Sequence, residues 1–337
     1  MVDQPPLVQA LLTPQAYPHH PEKIELVQTH ISLVFLTGDY VYKVKKPVNL
    51  GFVDYSTLEK RKHFCHQEVV LNRRGCPDIY LDVVPIAQEK GSIRVEGNGE
   101  VIEYAVKMRQ LPQETTMEYL LKNNQVSREM VERVARRVSE FHRKAATSDV
   151  IAGYGDVHMV ATNTGENFTQ TEKYIGITIP RETYEAIRAY TEGFVRRNGP
   201  LFRQRMLDGR IRDCHGDLHA AHVCFTNDIC IIDCIEFNER FRYADVASEI
   251  AFLAMDLDYR DRSDLAQHFV ETYIEESGDT DILKLLRFYK CYRAYVRGKV
   301  ESFRLDDPLI PAEDKEKAIA AASRYFDLAQ SYTSKDN

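Results

Sequence analysis

The chain has 337 residues, 44% hydrophobic and 28% charged, enough apolar material for one large or two moderate domains. With 51 acidic against 44 basic residues and a formal charge of -7, it has no whole-chain attraction for nucleic acid or an anionic membrane, and neither is expected as a partner. The opening residues lack a basic start and a long apolar run, which argues against a secretory signal or membrane span there, and seven cysteines without a CxxC pair make a poor disulfide framework and fit a reducing cytoplasm.

A Pro-rich extension (1–23) precedes a segment of short strands, of which 32–36 and 40–46 form a hairpin through Thr37-Gly38-Asp39. Residues 56–74 carry a helical pattern closed by Gly75, and strand-like runs return at 79–86 and 101–108. Beyond Gln110 long amphipathic patterns take over, at 116–122, 127–145 and 181–206. The exception is 211–237, where the apolar runs 223–225 and 229–232 flank the turn Thr226-Asn227-Asp228. Helical patterns resume from Tyr243 and end in a polar tail. The expected fold class is α+β and bilobal: a small β-rich lobe (24–110), a larger, mostly helical lobe (111–330) and a tail (331–337). A cleft between lobes is a favoured ligand site.

The most informative segment is Cys214-His215-Gly216-Asp217-Leu218-His219-Ala220-Ala221-His222, followed by the hairpin and Ile231-Ile232-Asp233. Phosphoryl transfer needs little covalent help, but it needs one carboxylate beside the nucleophile and another beside a metal ion. Asp217 and Asp233 stand at suitable places, with His222 as a ligand-capable residue five positions after Asp217. A surface turn capped by His215 and Asp217 is the plainer alternative. It does not account for the hairpin and second aspartate that follow in order.

This pattern resembles the aminoglycoside phosphotransferase family, in which a loop HGDxHxxN precedes a metal-binding aspartate on an apolar strand. The runs THISLVFLTGDYVYKVKKPV and IIDCIEFNERFRYADVASEIAFLAMDL resemble a bacterial group of aminoglycoside-phosphotransferase-like proteins of unknown substrate. Some of these are fused to a P-loop ATPase domain; this chain contains no GxxxxGK[ST]. The resemblance covers about residues 24–305 and implies a protein-kinase-like fold, ATP and Mg²⁺ as cofactors, and transfer to a hydroxyl of a small-molecule acceptor. Asp217 would take the hydroxyl proton with His215 beside it, while Asp233, His222 and Glu236 would serve the metal. The family's Asn is replaced here by His222, and imidazole suits Mg²⁺ less well than an amide oxygen. Lys43 would reach the nucleotide phosphates and Glu68 would hold it, with Lys45, on the same strand face, as the competing choice. Met108 to Leu111 would carry the adenine, and Asp245 would buttress the catalytic loop.

Acceptor charge stays open. Arg293 and Arg297, on a helical pattern at 285–304, suggest an anionic acceptor, whereas Asp256, Asp258, Asp261 and Asp264 suggest a cationic one. Two other readings compete with transfer. One is a nucleotide-binding pseudokinase with a regulatory role; the other is zinc-dependent hydrolysis at the His/Asp cluster. The crowding of His215, His219, His222, Cys214, Cys224 and Cys234 separately invites a structural or catalytic zinc.

Overall fold

The computed structural model describes residues 6–308 and 310–334, so parts of the expected extension (1–5) and polar tail (335–337) lie outside the described residues. The chain divides into two compact units. The first runs to Tyr119 and also takes in Cys224–Glu239; the second comprises Leu120–Val223 and the chain from Arg240 onward.

The first unit is built on an antiparallel six-stranded sheet of order β1-β2-β3-β6-β4-β5: β1 (Glu25–Gln28), β2 (Ser32–Leu36), β3 (Tyr40–Lys45), β4 (Tyr80–Glu89), β5 (Ser92–Val95) and β6 (Glu100–Arg109). Gly38, at φ +90°, permits the tight β2–β3 turn that the sequence predicts. Strand alternation sends Tyr42 and Val44 to one face, where they pack with Leu11, Ala16, Tyr17, Phe35 and Ile86. The N-terminal extension is therefore part of this unit's core, and each fully buried apolar side chain there contributes about 1.5–3 kcal/mol.

Lys43 and Lys45 occupy the opposite face, with Glu68 of the Leu58–Asn72 helix. Thr57 caps that helix by accepting a hydrogen bond from the Lys60 N–H. Cys65 and Val69 pack with Ile79, Tyr80, Val106, Cys76, Cys224 and Cys230. The fold brings the Cα atoms of Cys76 and Cys230 to 4.9 Å across 154 residues, and the two form a disulfide that the cysteine pattern did not suggest. Cys65, Cys214, Cys224, Cys234 and Cys291 are buried thiols.

The second unit is mostly helical. Its core joins Phe168, Tyr184, Phe252, Met255, Tyr295, Tyr325 and Phe326. The Val246–Tyr259 helix is buried along nearly its whole length, its mostly apolar sequence interrupted by Ser248, Glu249, Asp256 and Asp258. The pattern at 181–206 resolves into two helices, Arg181–Arg197 and Gly199–Leu207, because Pro200 cannot continue the hydrogen-bonded ladder of the first. A further helix, Val157–Thr171, carries four Thr, two Asn and a Gly, and periodicity does not reveal it. Among the described residues no helix is long and apolar enough to cross a membrane.

Candidate active site

In the first unit Lys43, Lys45, Glu68, Asp233 and Glu236 form one ionic network. Lys43 Nζ lies 2.6 Å from Asp233 Oδ1 and 2.8 Å from Glu68 Oε1. Lys45 Nζ lies 2.7 Å from Glu68 Oε2 and also contacts Glu236, which in turn accepts the Tyr55 hydroxyl. The two lysines differ in access: the Lys45 side chain is 1% exposed, that of Lys43 15%, and that of Asp233 44%. Burial alone would depress the Lys43 pKa, but Asp233, then Glu68 and Glu236, hold it well above the ordinary lysine value. Burial likewise opposes ionisation of Glu68, and Lys43 and Lys45 outweigh it, keeping this carboxyl below its usual value.

Asp233 adopts φ +64°, a left-handed conformation that Asp tolerates better than most residues. Two hydrogen bonds fix it there: its N–H donates to the Tyr80 hydroxyl at 3.0 Å, and the Cys234 N–H donates to Asn72 Oδ1 at 2.8 Å. The exposed Asp233 carboxylate is an oxygen donor of the kind Mg²⁺ requires, whereas Glu236 is buried with Oε1 taken up by Lys45 and Tyr55. Met108 and Leu111 are partly buried beside the Cys65–Tyr80 cluster.

In the second unit the strand Ile211–Asp213, paired with Tyr243–Asp245, leads into the His215–His222 loop. Gly216 sits at φ +88°, and both of its peptide groups are held. The carboxylate of Glu249 accepts the N–H groups of His215 at 3.0 Å and Gly216 at 2.6 Å, while Arg293 Nη1 donates to the Gly216 carbonyl at 3.1 Å. Behind Glu249, His142 Nε2 lies at 2.8 Å, and His142 Nδ1 lies 2.8 Å from the Tyr273 hydroxyl. Burial pushes the Glu249 pKa up, but hydrogen bonding and charge from His142 prevail and bring it down to about 2.

Asp217 projects from this clamped loop with its side chain 32% exposed. Its pKa is held well below the ordinary value: burial opposes ionisation, and His219, His222 and Arg297 overcome it. His219 Nε2 stands 3.5 Å, and His222 Nδ1 3.6 Å, from Asp217 Oδ2. His222 Nδ1 is also 2.8 Å from the Asp217 carbonyl oxygen, and the Asp217 N–H donates to His215 Nδ1 at 3.3 Å.

Several expected roles look different in place. The Asp245 carboxylate is bidentate to buried Arg205, at 2.9 and 2.6 Å, and caps the following helix; Glu249 is the residue that holds the loop amides. The sequence signal for Glu249 is a single acid inside the otherwise apolar run that follows the Asp245 cap. Asp256 accepts the Ala220 N–H at 2.9 Å and faces Arg260, while Asp258, Asp261 and Asp264 face Lys290, Arg324 and Arg262. Each of the four carboxylates thus has a cationic partner, Asp256 and Asp258 in buried surroundings and Asp261 and Asp264 at the surface. Arg293 is 7% exposed and braces the loop, whereas Arg297 keeps 26% exposure beside Asp217. In the buried grouping of His142, Cys214 and Glu249, both ring nitrogens of His142 are engaged, by Tyr273 and by Glu249.

The chain is 31% identical over 307 residues to an uncharacterized protein of Mycobacterium tuberculosis and, equally, to one of Mycobacterium bovis. The match takes in 91% of this chain, which spans 59% of the length of those curated relatives. No family model matches. Among solved structures, a choline/ethanolamine kinase family protein from Mesorhizobium loti is similar at TM-score 0.52 and 12% identity, over 97% of this chain and 98% of that one. The GDP complex of aminoglycoside 2'-phosphotransferase-IIIa is similar at TM-score 0.51 and 13% identity, over 91% and 93%.

Proposed function

With the protein-kinase-like α+β fold of those enzymes as premise, we propose that this chain is an ATP- and Mg²⁺-dependent phosphotransferase acting on a hydroxyl of a small-molecule acceptor. The observation that carries the reading is Asp217: an ionised, partly exposed carboxylate on a loop whose amides are clamped by Glu249 and whose Gly216 carbonyl is held by Arg293. Such a group orients an acceptor O–H and takes its proton late, as the oxygen–phosphorus bond forms and the bond to the departing ADP breaks with its electron pair. Lys43 would hold nucleotide phosphate, and the Asp233 carboxylate beside it would be the oxygen ligand for Mg²⁺. The ion supplies charge neutralisation at the phosphates.

The test is isothermal titration with non-hydrolysable ATP and GTP analogues, with and without Mg²⁺, comparing the wild type with Asp233→Ala. Metal-dependent binding lost in the variant supports the reading; no nucleotide binding by well-folded wild type overturns it. His222 in place of Asn favours a second reading, a regulatory nucleotide-binding pseudokinase. Binding without turnover across a broad panel of acceptors would select it.

A further inference from the structure

The donor atoms around Asp217 stand at spacings that one shared metal ion would span. His219 Nε2 and His222 Nδ1 lie 3.5 and 3.6 Å from Asp217 Oδ2, beyond the roughly 2.7–2.9 Å of a charge-assisted hydrogen bond. Tetrahedral Zn²⁺ with bonds of about 2.0–2.1 Å separates its ligand atoms by about 3.3–3.4 Å. The two imidazoles lie with their centroids 4.0 Å apart and present nitrogen toward the same carboxylate oxygen. We propose that Asp217, His219 and His222 form a binding site for a divalent transition-metal ion, with Zn²⁺ the best fit and water completing the coordination on the exposed side of Asp217.

Two nitrogen donors and one oxygen donor favour a borderline ion over Mg²⁺, which prefers an all-oxygen shell. Binding replaces existing contacts: the His222 hydrogen bond to the Asp217 carbonyl, and the Ala221 N–H bond to His219 Nδ1 at 3.3 Å. These losses make the site reversible rather than a permanent structural one. The site itself is independent of phosphoryl transfer. Its consequence, inhibition through occupation of the base, rests on the proposed function.

The experiment titrates Zn²⁺ into the purified full chain against a chromophoric chelator, and records the visible spectrum with Co²⁺. The wild type should bind a single ion, with a Co²⁺ spectrum of low coordination number. His219→Gln and His222→Asn, each checked for a wild-type melting curve, should weaken binding about tenfold or more. Cys214→Ser and Cys234→Ser should leave it unchanged. Absence of saturable binding, or binding that survives both histidine variants, overturns the site. If Zn²⁺ binds and active wild type keeps its turnover in excess Mg²⁺, the inhibitory role fails while the site stands; absence of turnover without Zn²⁺ tells against the transferase reading alone.

Discussion

Lys43 Nζ lies 2.6 Å from the half-exposed carboxylate of Asp233, while Lys45, two residues along the same strand face, is sealed among Glu68, Glu236 and Tyr55. Their substitutions should therefore separate. Lys43→Met should abolish nucleotide binding and cost less stability than the loss of Lys45, because Lys45 still pairs with Glu68 and Asp233 is half-exposed. Lys45→Met leaves buried carboxylates uncompensated and should cost about 3–5 kcal/mol. Urea denaturation and nucleotide titration on both variants check this, and the opposite assignment of effects would exchange the roles of the two lysines.

Asp217→Asn and Asp233→Ala should each eliminate phosphoryl transfer while leaving circular dichroism unchanged. A folded, fully active Asp217→Asn protein would remove Asp217 from its role as base.

Glu249 links the loop to acid stability. Its pKa in the folded chain is about 2 against an ordinary 4.5, so the unfolded state binds the proton more readily. The stability it contributes, roughly 3 kcal/mol, is present above about pH 4.5 and is lost as pH falls toward 2. Glu249→Gln should lower stability at neutral pH and flatten the acid limb over that window. Unfolding midpoints measured at several pH values decide it; parallel limbs in both proteins would contradict the assignment.

Arg205 neutralises Asp245 and Asp279, all three side chains being nearly inaccessible. Arg205→Met should destabilise the chain by about 3–5 kcal/mol, by leaving buried Asp245 without its cation and Asp279 with only Arg210 at 3.6 Å. Arg205→Met combined with Asp245→Asn should recover part of that loss in thermal unfolding.

Gly75 packs where a Cβ would come 2.4 Å from the Ile231 carbonyl oxygen, on the strand that leads to Asp233. Gly75→Ala should cost about 1–3 kcal/mol, whereas Gly153→Ala, with no atom within 4 Å of its Cβ, should be neutral or slightly stabilising. Equal melting temperatures for the two variants would show that the contact at Gly75 relaxes freely.

By itself the sequence determined what is local: the β2–β3 hairpin from alternation and Gly38, the Leu58–Asn72 helix from its period and the Gly75 that closes it, and the HGDLH loop with Asp233 after a second hairpin. These depend on neighbours a few residues away, so pattern alone carries them. Tertiary structure decided the partners: Glu249 rather than Asp245 beneath the loop, Lys45 buried while Lys43 keeps access, Cys76 bonded to Cys230, and Asp258 matched by Lys290. Each joins residues from about 20 to 190 positions apart, and such pairings follow from which faces the packed core leaves buried, where an ion without its counter-ion costs several kcal/mol.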